Sequence, residues 1–252
     1  MVPHHKVKRA LLSLLAVGGA FFALVILFVL LFDGERYLSS RIAERFNECS
    51  RLHVEVTAKP RFKMWLGSID NISLSAEGVK DFALPLKKLE VEARDISFDP
   101  LAFPAKKLGA IRTLSLRGSL SVSGEDLQDF IAAKVSKHFT LRSALHPGVI
   151  VLDISTPFAR SLNLSLRGGL AVRNGTELYI TLPEKTPGEK KTVDMLLALI
   201  NPVFDFSSRD LTGYLLKDLP MEARTRWKTL ITGVEVRDGE LEILFTIDAQ
   251  DS

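Results

Sequence analysis

The chain has 252 residues, a formal net charge of +3 and one cysteine. The whole positive excess comes from Lys6, Lys8 and Arg9, which precede the first acidic residue, so the remainder carries 30 basic and 30 acidic residues. This balance argues against a nucleic-acid-binding protein, because such a protein needs a basic face to neutralise phosphates. A single cysteine excludes an internal disulfide, so burial of apolar side chains must hold the fold together.

The first predicted element is an apolar helix at Ala10–Phe32, in which Ser13 is the one strongly polar side chain. A helix of this length spans about 34 Å, enough to cross a hydrocarbon core of about 30 Å. Basic residues precede the segment and no net positive charge follows it. The positive-inside rule therefore places residues 1–9 in the cytoplasm and residues 33–252 outside, with Ala10–Phe32 as a single-pass anchor.

A cleaved secretory signal is the alternative to this anchor. The apolar run is longer than the roughly 7–15 residues of a usual signal h-region, and residues 30–32 lack the small side chains that cleavage prefers. Both observations favour an uncleaved anchor.

An amphipathic helix is predicted over Glu35–Cys49, directly after the anchor. Its apolar residues recur at helical spacing: Leu38, Ile42, Phe46 and Cys49. We expect this stripe to pack on the domain rather than lie on the bilayer, because such stripes are core faces more often than membrane faces. Cys49 is then a small buried hydrophobe rather than a reactive thiol.

From Leu52 onward the hydrophobic period changes to two, which is typical of half-buried strands. The alternation is clear at Leu52–Thr57, Ile72–Ala76 and Leu89–Arg94. After Arg94 the apolar positions shift by one residue, to Ile96 and Phe98. This shift predicts a bulge or bend near Asp95, because otherwise the hydrophobic face would change sides.

Two similar segments form the clearest strands. LSLRGSLSV at Leu114–Val122 and LSLRGGLAV at Leu164–Val172 match at seven of nine positions, with leucines facing one side and Ser or Arg the other. A structural repeat and a chance likeness between two amphipathic strands are both open interpretations. The central Gly118 and Gly168 predict strong bending or a close backbone approach.

Two glycine turns predict the register of two hairpins. A type I′ turn at Asp238-Gly239 would place Val236 opposite Leu241 and Val234 opposite Ile243. For the other hairpin we favour a three-residue loop at Arg173–Gly175 with the glycine in the left-handed region, which sets Leu170 opposite Leu178.

Three further helices are predicted, at Leu127–Lys137, Thr192–Ile200 and Ser208–Leu216. Ser123 and Asp126 form a weak capping box before the first. The second follows a solvated loop at Pro183–Lys191 and is apolar nearly all round, which predicts a short buried helix that stops at Asn201-Pro202. The order of elements indicates an α+β fold of long, curved, mainly antiparallel strands with a few helices.

The sequence contains none of the common hydrolase, zinc-protease, P-loop or dinucleotide signatures. Beyond the predicted anchor, His53, His138 and His146 have no second histidine or cysteine at ligand spacing, so we expect surface or satisfied histidines. We therefore predict no enzyme activity, no metal site and no cofactor.

One segment, Lys59–Gly67 (KPRFKMWLG), interleaves basic with aromatic and aliphatic residues. Aromatic rings and cations together suit a membrane interface, where rings sit at headgroup level and cations meet anionic lipid. The candidate interface residues are Lys59, Arg61, Phe62, Lys63 and Trp65. The other interpretation, that Phe62, Trp65 and Leu66 are core residues in a strand connection, is open.

A set of diffuse motifs indicates a family. Its first part comprises the helix before Leu52, the strand ending at Pro60, and Leu66-Gly67-x-Ile69 leading to Ile72, Leu74, Ala76 and Gly78. Its second part, near the end of the chain, comprises Leu219-Pro220 and the closing segment Ile231, Val234, Val236, Asp238-Gly239 and Leu241. Over most of Glu35–Ile247 the chain resembles the LmeA-like phospholipid-binding family of exported bacterial proteins. The resemblance implies binding of phospholipid in an apolar cavity, a role in maintaining envelope lipids or glycolipids, and no catalytic residues.

The resulting hypothesis is a non-catalytic phospholipid-binding protein, anchored in the inner membrane with its main domain in the periplasm. The partners expected are phospholipid and the membrane, but no nucleic acid. The predicted acyl-chain contacts are the inward leucines of the two similar strands: Leu114, Leu116, Leu120, Leu164, Leu166 and Leu170. One alternative is an envelope scaffold with a packed core and protein partners. Another is an enzyme acting on lipid-linked sugars, which no sequence motif supports.

Overall fold

The computed structural model describes residues 34–80 except 45 and 47, and residues 84–98, 113–134, 140–155, 163–182, 190–205 and 227–249. The predicted anchor Ala10–Phe32 and the candidate helix Ser208–Leu216 lie outside these ranges, as does His138. Within them, no helix has both the length and the apolar character needed to span a bilayer.

The described elements are mostly strands. The helices are α1 (Gly34–Ala43), α2 (Gly124–Lys134), α3 (Lys190–Ile200) and one 3₁₀ helix (Arg61–Leu66). The strands are β1 (Arg51–Thr57), β2 (Ser68–Val79), β3 (Leu86–Ser97), β4 (Thr113–Ser123), β5 (Thr140–His146), β6 (Val149–Ser155), β7 (Asn163–Arg173), β8 (Glu177–Thr181), β9 (Phe204–Asp205), β10 (Trp227–Arg237) and β11 (Glu240–Ala249).

These strands form two sheets in which neighbouring strands pair antiparallel. The larger sheet has the order β1-β2-β3-β4-β11-β10 and the smaller one the order β5-β6-β7-β8-β9. The predicted mainly antiparallel domain with a few helices is confirmed.

The strand registers align apolar residues into rows across the larger sheet. One such row joins Leu52, Ala76, Leu89, Leu120 and Ile243, and its last four members are buried to 1% exposure or less. Directly opposed residues share a face of an antiparallel pair, so this row marks the inner face of the sheet. The period-two alternation of the sequence therefore separates the core face from the polar face as expected.

The phase shift after Arg94 is a real irregularity of β3. Asp95 has a positive φ of 52°, and the pairing of β3 with β4 shifts between Arg94 and Ser97. Beyond it, Ile96 pairs with Ile69, and both side chains are buried. The predicted bulge is confirmed, and it keeps the apolar residues of β3 on one face.

The closing hairpin has the predicted register. Val236 lies opposite Leu241 and Val234 lies opposite Ile243. The turn type differs from the prediction, because Gly239 has a φ of 70° while Asp238 does not have the positive φ that type I′ requires.

The register predicted for the other hairpin is wrong. Val172, not Leu170, lies opposite Leu178, because the three-residue loop is Asn174–Thr176. Asn174 has a φ of 54° and Gly175 a φ of 69°, and the Thr176 amide donates to the Arg173 carbonyl over 3.1 Å. Asparagine tolerates the left-handed region, so the turn uses two such residues where one was expected.

The first helix is six residues shorter at its end than the predicted Glu35–Cys49, whereas the second begins directly after the predicted capping residue Ser123. Leu38 on α1 is buried and Ile42 packs against the core, so the stripe faces the domain. The helix ends at Ala43, and a turn in which the Phe46 amide donates to the Ala43 carbonyl over 3.1 Å still buries Phe46. Before α2, the Ser123 hydroxyl accepts the Asp126 amide over 3.1 Å, as expected of a capping box.

The third helix is not buried all round as predicted. It begins at Lys190, within the expected loop, and its residues Val193 and Ile200 are buried. Met195 and Leu199, one turn apart, are 56% and 47% exposed. The sequence did not show which side of this helix would be buried, because residues 195–200 are all apolar and a continuous apolar run has no periodic pattern.

The two sheets are joined along β10. The Ile231 amide donates to the Gly175 carbonyl over 2.7 Å, the Gly148 amide to the Val236 carbonyl over 2.9 Å, and the Gly239 amide to the Leu145 carbonyl over 3.1 Å. Hairpin turns of the smaller sheet therefore meet the last hairpin of the larger one. Buried side chains of both sheets and all three α-helices form one hydrophobic cluster.

Candidate functional site

The Lys59–Gly67 segment connects β1 to β2 and contains the 3₁₀ helix. The Lys63 amide donates to the Pro60 carbonyl and the Gly67 amide to the Met64 carbonyl, each over 3.0 Å, and Gly67 ends the helix with a φ of 78°. Met64 is the residue of the 3₁₀ helix that enters the core, with 7% exposure. The packing of its side chain in the core attaches this segment to the domain.

Two other apolar residues of the segment, Phe62 and Leu66, are exposed. Phe62 is 54% and Leu66 is 70% exposed, while Trp65 is half-buried. Lys59 and Arg61 are exposed and Lys63 is half-buried. The core interpretation is therefore wrong for Phe62 and Leu66, and the segment presents apolar side chains among cations at the surface.

Two contacts of Glu35 hold this segment beside the start of α1. The carboxylate accepts the Ala58 amide over 3.0 Å and lies 3.5 Å from the Arg61 guanidinium. Helix α1 begins two residues after the predicted anchor ends. The Lys59–Gly67 segment is thus next to the first described residues after the predicted anchor.

Asp70 at the start of β2 braces the same segment from the other side. Its carboxylate accepts the Lys59 amide over 2.6 Å and the Lys63 ammonium over 2.7 Å. The hydrogen bond from Lys63, and next the one from the Lys59 amide, lower the pKa of Asp70. The hydrogen bonds favour the charged form of the carboxylate, which accepts from both ends of the first turn of the segment.

The six leucines predicted to contact acyl chains do not form one row. Leu116 and Leu120 lie on β4 in the larger sheet and are 5% and 1% exposed. Leu166 on β7 in the smaller sheet is 8% exposed, whereas Leu164 and Leu170 are partly buried against the same core. Leu114 belongs to β4, but its side chain lies outside the described part. Their contact with lipid stays a prediction.

The close backbone approach predicted at the two central glycines is confirmed. A Cβ on Gly118 would lie 2.4 Å from the Phe245 ring and 2.6 Å from the Glu90 carbonyl oxygen, and one on Gly168 would lie 2.4 Å from the Thr181 carbonyl oxygen. The two strands lead into different elements, since β4 continues into α2 and β7 into a hairpin with β8. The likeness is therefore local, and its origin stays open.

A groove that sequence reasoning missed lies where β7 changes partner. Strand β7 pairs with β6 up to Gly168 and with β8 from Gly169 onward. The groove at this junction has a volume of about 670 Å³ and is lined mainly by apolar atoms, which is within the range of about 300–1,000 Å³ typical of ligand pockets. The double glycine in LSLRGGLAV was the available signal.

The histidines and acidic residues of the described part do not form a metal site. No three side chains of the metal-binding types cluster there. His53 is exposed on β1, and the exposed His146 borders the groove with its Nδ1 3.6 Å from Asp238 Oδ1.

Comparison with known proteins gives one finding. A family model described as LmeA-like phospholipid-binding matches residues 28–246. No curated protein and no solved structure gives a significant match. The matched range includes the Lys59–Gly67 segment, both similar strands and most of the closing hairpin.

Proposed function

Because the chain belongs to the LmeA-like phospholipid-binding family, we propose that it is a membrane-anchored, non-catalytic phospholipid-binding protein of the bacterial envelope. The family match supports phospholipid as the ligand class. In this proposal Ala10–Phe32 anchors the chain in the inner membrane, and the domain works on the periplasmic side in the maintenance of envelope lipids or glycolipids.

The surface of the Lys59–Gly67 segment carries the membrane part of the proposal. Phe62 and Leu66 are exposed beside Arg61 and Lys59, and the Glu35 contacts hold them next to the start of α1. Exposed rings and aliphatic side chains gain by entering the headgroup region, and each nearby cation adds about 1 kcal/mol on an anionic surface. The segment is therefore a second contact with the bilayer that carries the anchor.

The lipid part of the proposal concerns the leucine-rich inner faces. Each methylene buried there contributes about 0.8 kcal/mol, so even a partly enclosed acyl chain would be held firmly. Among the predicted acyl-chain contacts whose side chains the structure describes, Leu164 and Leu170 are the two that are only partly buried.

Native mass spectrometry of the full chain, extracted from bacterial membranes in detergent, tests the ligand. We expect phospholipid to copurify with the protein. A lipid-free protein that also takes up no phospholipid from vesicles would contradict the proposal.

Site-specific fluorescence tests the membrane contact. In a Cys49→Ala background, an environment-sensitive dye is attached at Leu66→Cys or at the matched control Leu244→Cys, which is also exposed (44%) but lies on β11. After reconstitution into nanodiscs with anionic lipid, the dye at position 66 should shift to the blue and be quenched by brominated lipid, while the dye at position 244 should do neither. Equal behaviour of the two dyes would remove the segment from the interface.

An envelope scaffold is the second candidate function. The observation that favours it is the near-complete burial of Leu116, Leu120 and Leu166 by protein neighbours. A scaffold would stay lipid-free in the mass spectra and would copurify with other envelope proteins instead.

A further inference from the structure

The groove beside Gly168 and Gly169 is an open, mainly apolar recess that also carries an exposed positive charge. Val149 and Val151 of β6 and Leu182 after β8 contribute apolar lining. Val151 is directly opposite Arg167, so both lie on the outer face of the smaller sheet, away from the buried Ile150 and Leu152. Arg167 therefore lies on the opposite face of β7 from Leu166, and Leu182, which also packs against the core, borders the recess.

The charge of the groove comes from Arg167. Its side chain is exposed, lines the groove, and makes no ion pair with any carboxylate of the described residues. Asp153 lies on the same face of β6, but it is opposite Ser165, one row further along the sheet. The other titratable group in the lining, His146, is already close to Asp238. An unpaired guanidinium beside apolar walls suits a phosphate attached to a hydrocarbon chain.

Glycines create the space that such a ligand would need. Gly148 and Gly169 line the groove, and around their Cβ positions no atom lies closer than 3.7 Å. Gly168 also lines the groove but adds no space, because a Cβ there would lie 2.4 Å from the Thr181 carbonyl oxygen. The missing side chains let a ligand approach the backbone of β7 where it passes from one partner strand to the other.

We infer that this groove is where the protein first receives a phospholipid, with the phosphate on Arg167 and the adjoining part of an acyl chain along Val149, Val151 and Leu182. The inference rests on the proposed function and deepens it. It provides an exposed receiving site, whereas Leu116, Leu120 and Leu166 are closed off by their neighbours.

Photo-crosslinking locates the lipid directly. The full chain in detergent is incubated with vesicles of phosphatidylglycerol that contain an analogue with a photoreactive group near the head of one acyl chain, and crosslinked peptides are identified by mass spectrometry. We expect crosslinks at Val149, Val151 or Leu182. Glycerol phosphate, which has the phosphate but no acyl chain, should not compete at concentrations where phosphatidylglycerol does.

Two variants test the groove by shape and by charge. Gly169→Leu should abolish crosslinking, because its Cβ would make only an ordinary contact, 3.7 Å from Thr181 Oγ1, and the rest of the side chain would fill the groove. Ser165→Leu, exposed on the same face of the same strand, should not abolish it. Arg167→Gln should weaken phosphatidylglycerol uptake about tenfold, and Arg167→Lys should restore part of it by keeping the charge. The matched control is Arg117→Gln, the corresponding exposed arginine of β4, which should behave as the unmodified chain does.

The outcomes separate the two proposals. If the unmodified chain takes up lipid but the crosslinks map elsewhere, or if Arg167→Gln binds normally, the groove is not the receiving site and the proposed function stands. If the unmodified chain takes up no lipid, the proposed function fails together with the groove. Arg167 is exposed, so its variants report on binding even if Gly169→Leu does not fold.

Discussion

Gly118 and Gly168 hold equivalent places in two similar strands, and neither leaves room for a side chain. We expect Gly118→Ala and Gly168→Ala each to lower the free energy of unfolding by about 1–3 kcal/mol, because a methyl group would force backbone or ring atoms apart. Urea unfolding of the full chain in detergent, followed by circular dichroism, measures the loss.

The neighbouring Gly169 provides the control. An added Cβ there would meet its nearest atom, Thr181 Oγ1, at 3.7 Å, an ordinary contact distance. Gly169→Ala should therefore change stability far less than Gly168→Ala. Equal losses at the two positions would mean that glycine matters here for backbone conformation rather than for space.

Asp70 makes a pH-dependent brace for the Lys59–Gly67 segment. Its pKa is lowered from the usual 3.8, first by the hydrogen bond from Lys63, so its stabilising effect is fully present above the unfolded-state pKa and is lost as the pH falls through the lowered folded-state value. The carboxylate is solvent-accessible, and water screens the size of the effect.

The Lys59 amide reports on this brace, since it donates to Asp70 Oδ2. In hydrogen-exchange measurements, we expect Asp70→Ala to speed exchange of the Lys59 amide at neutral pH. The difference in exchange rate between Asp70→Ala and the unmodified chain should vanish below the lowered pKa of Asp70. There the carboxyl group of the unmodified chain is protonated in the folded state as well as in the unfolded state. Asp153→Ala, at an exposed strand carboxylate, should leave the exchange of this amide unchanged.

At the scale of single elements, the start of α2 depends on one side chain. The Ser123 hydroxyl accepts the Asp126 amide over 3.1 Å and donates to the Asp126 carboxylate over 2.5 Å. Ser123→Ala should cost about 1 kcal/mol of unfolding free energy in urea titrations. Ser115→Ala, at an exposed position of the preceding strand, should cost much less, and a similar cost at both serines would show that the cap does not stabilise the helix.

The elements that the sequence predicted well are those in which local pattern and burial agree. The alternation along β3 placed its bulge at Asp95, and the spacing around Asp238-Gly239 gave the register of β10 with β11. The hairpin at Asn174 failed because two loop positions with similar turn chemistry differ by one residue, and tertiary packing decides between them. The outer face of α3 could not be predicted, since the residues from Met195 to Ile200 are all apolar and yet Met195 and Leu199 are exposed.

The candidate sites show the same limit. Basic and aromatic residues marked Lys59–Gly67, yet only the packing of Met64 shows which of its apolar side chains are left at the surface. The groove combines residues from three consecutive strands, β6, β7 and β8, and lies where β7 changes its partner from β6 to β8. A pattern read along one strand cannot show where that strand changes its partner.

At the scale of the whole molecule, one continuous core joins two sheets that share no paired strands. Leu89 in the larger sheet and Leu178 in the smaller one are both fully buried. We expect Leu89→Ala and Leu178→Ala each to lower the unfolding free energy by about 2–5 kcal/mol. Because the cluster is shared and backbone hydrogen bonds link the hairpins, each variant should increase the exchange of core amides in both sheets together.

Hydrogen exchange of the full chain in detergent, resolved by peptide, measures this coupling. The control is Leu244→Ala, which truncates a 44% exposed side chain and should change stability by about 0.5 kcal/mol or less. If Leu178→Ala loosened the smaller sheet while β2, β3 and β4 kept their protection, the sheets would be separate folding units. In that case the groove at β7 could open without disturbing the larger sheet. If instead both sheets unfold as one cooperative unit, the groove cannot open by itself, and lipid must bind to the groove as it is in the folded protein.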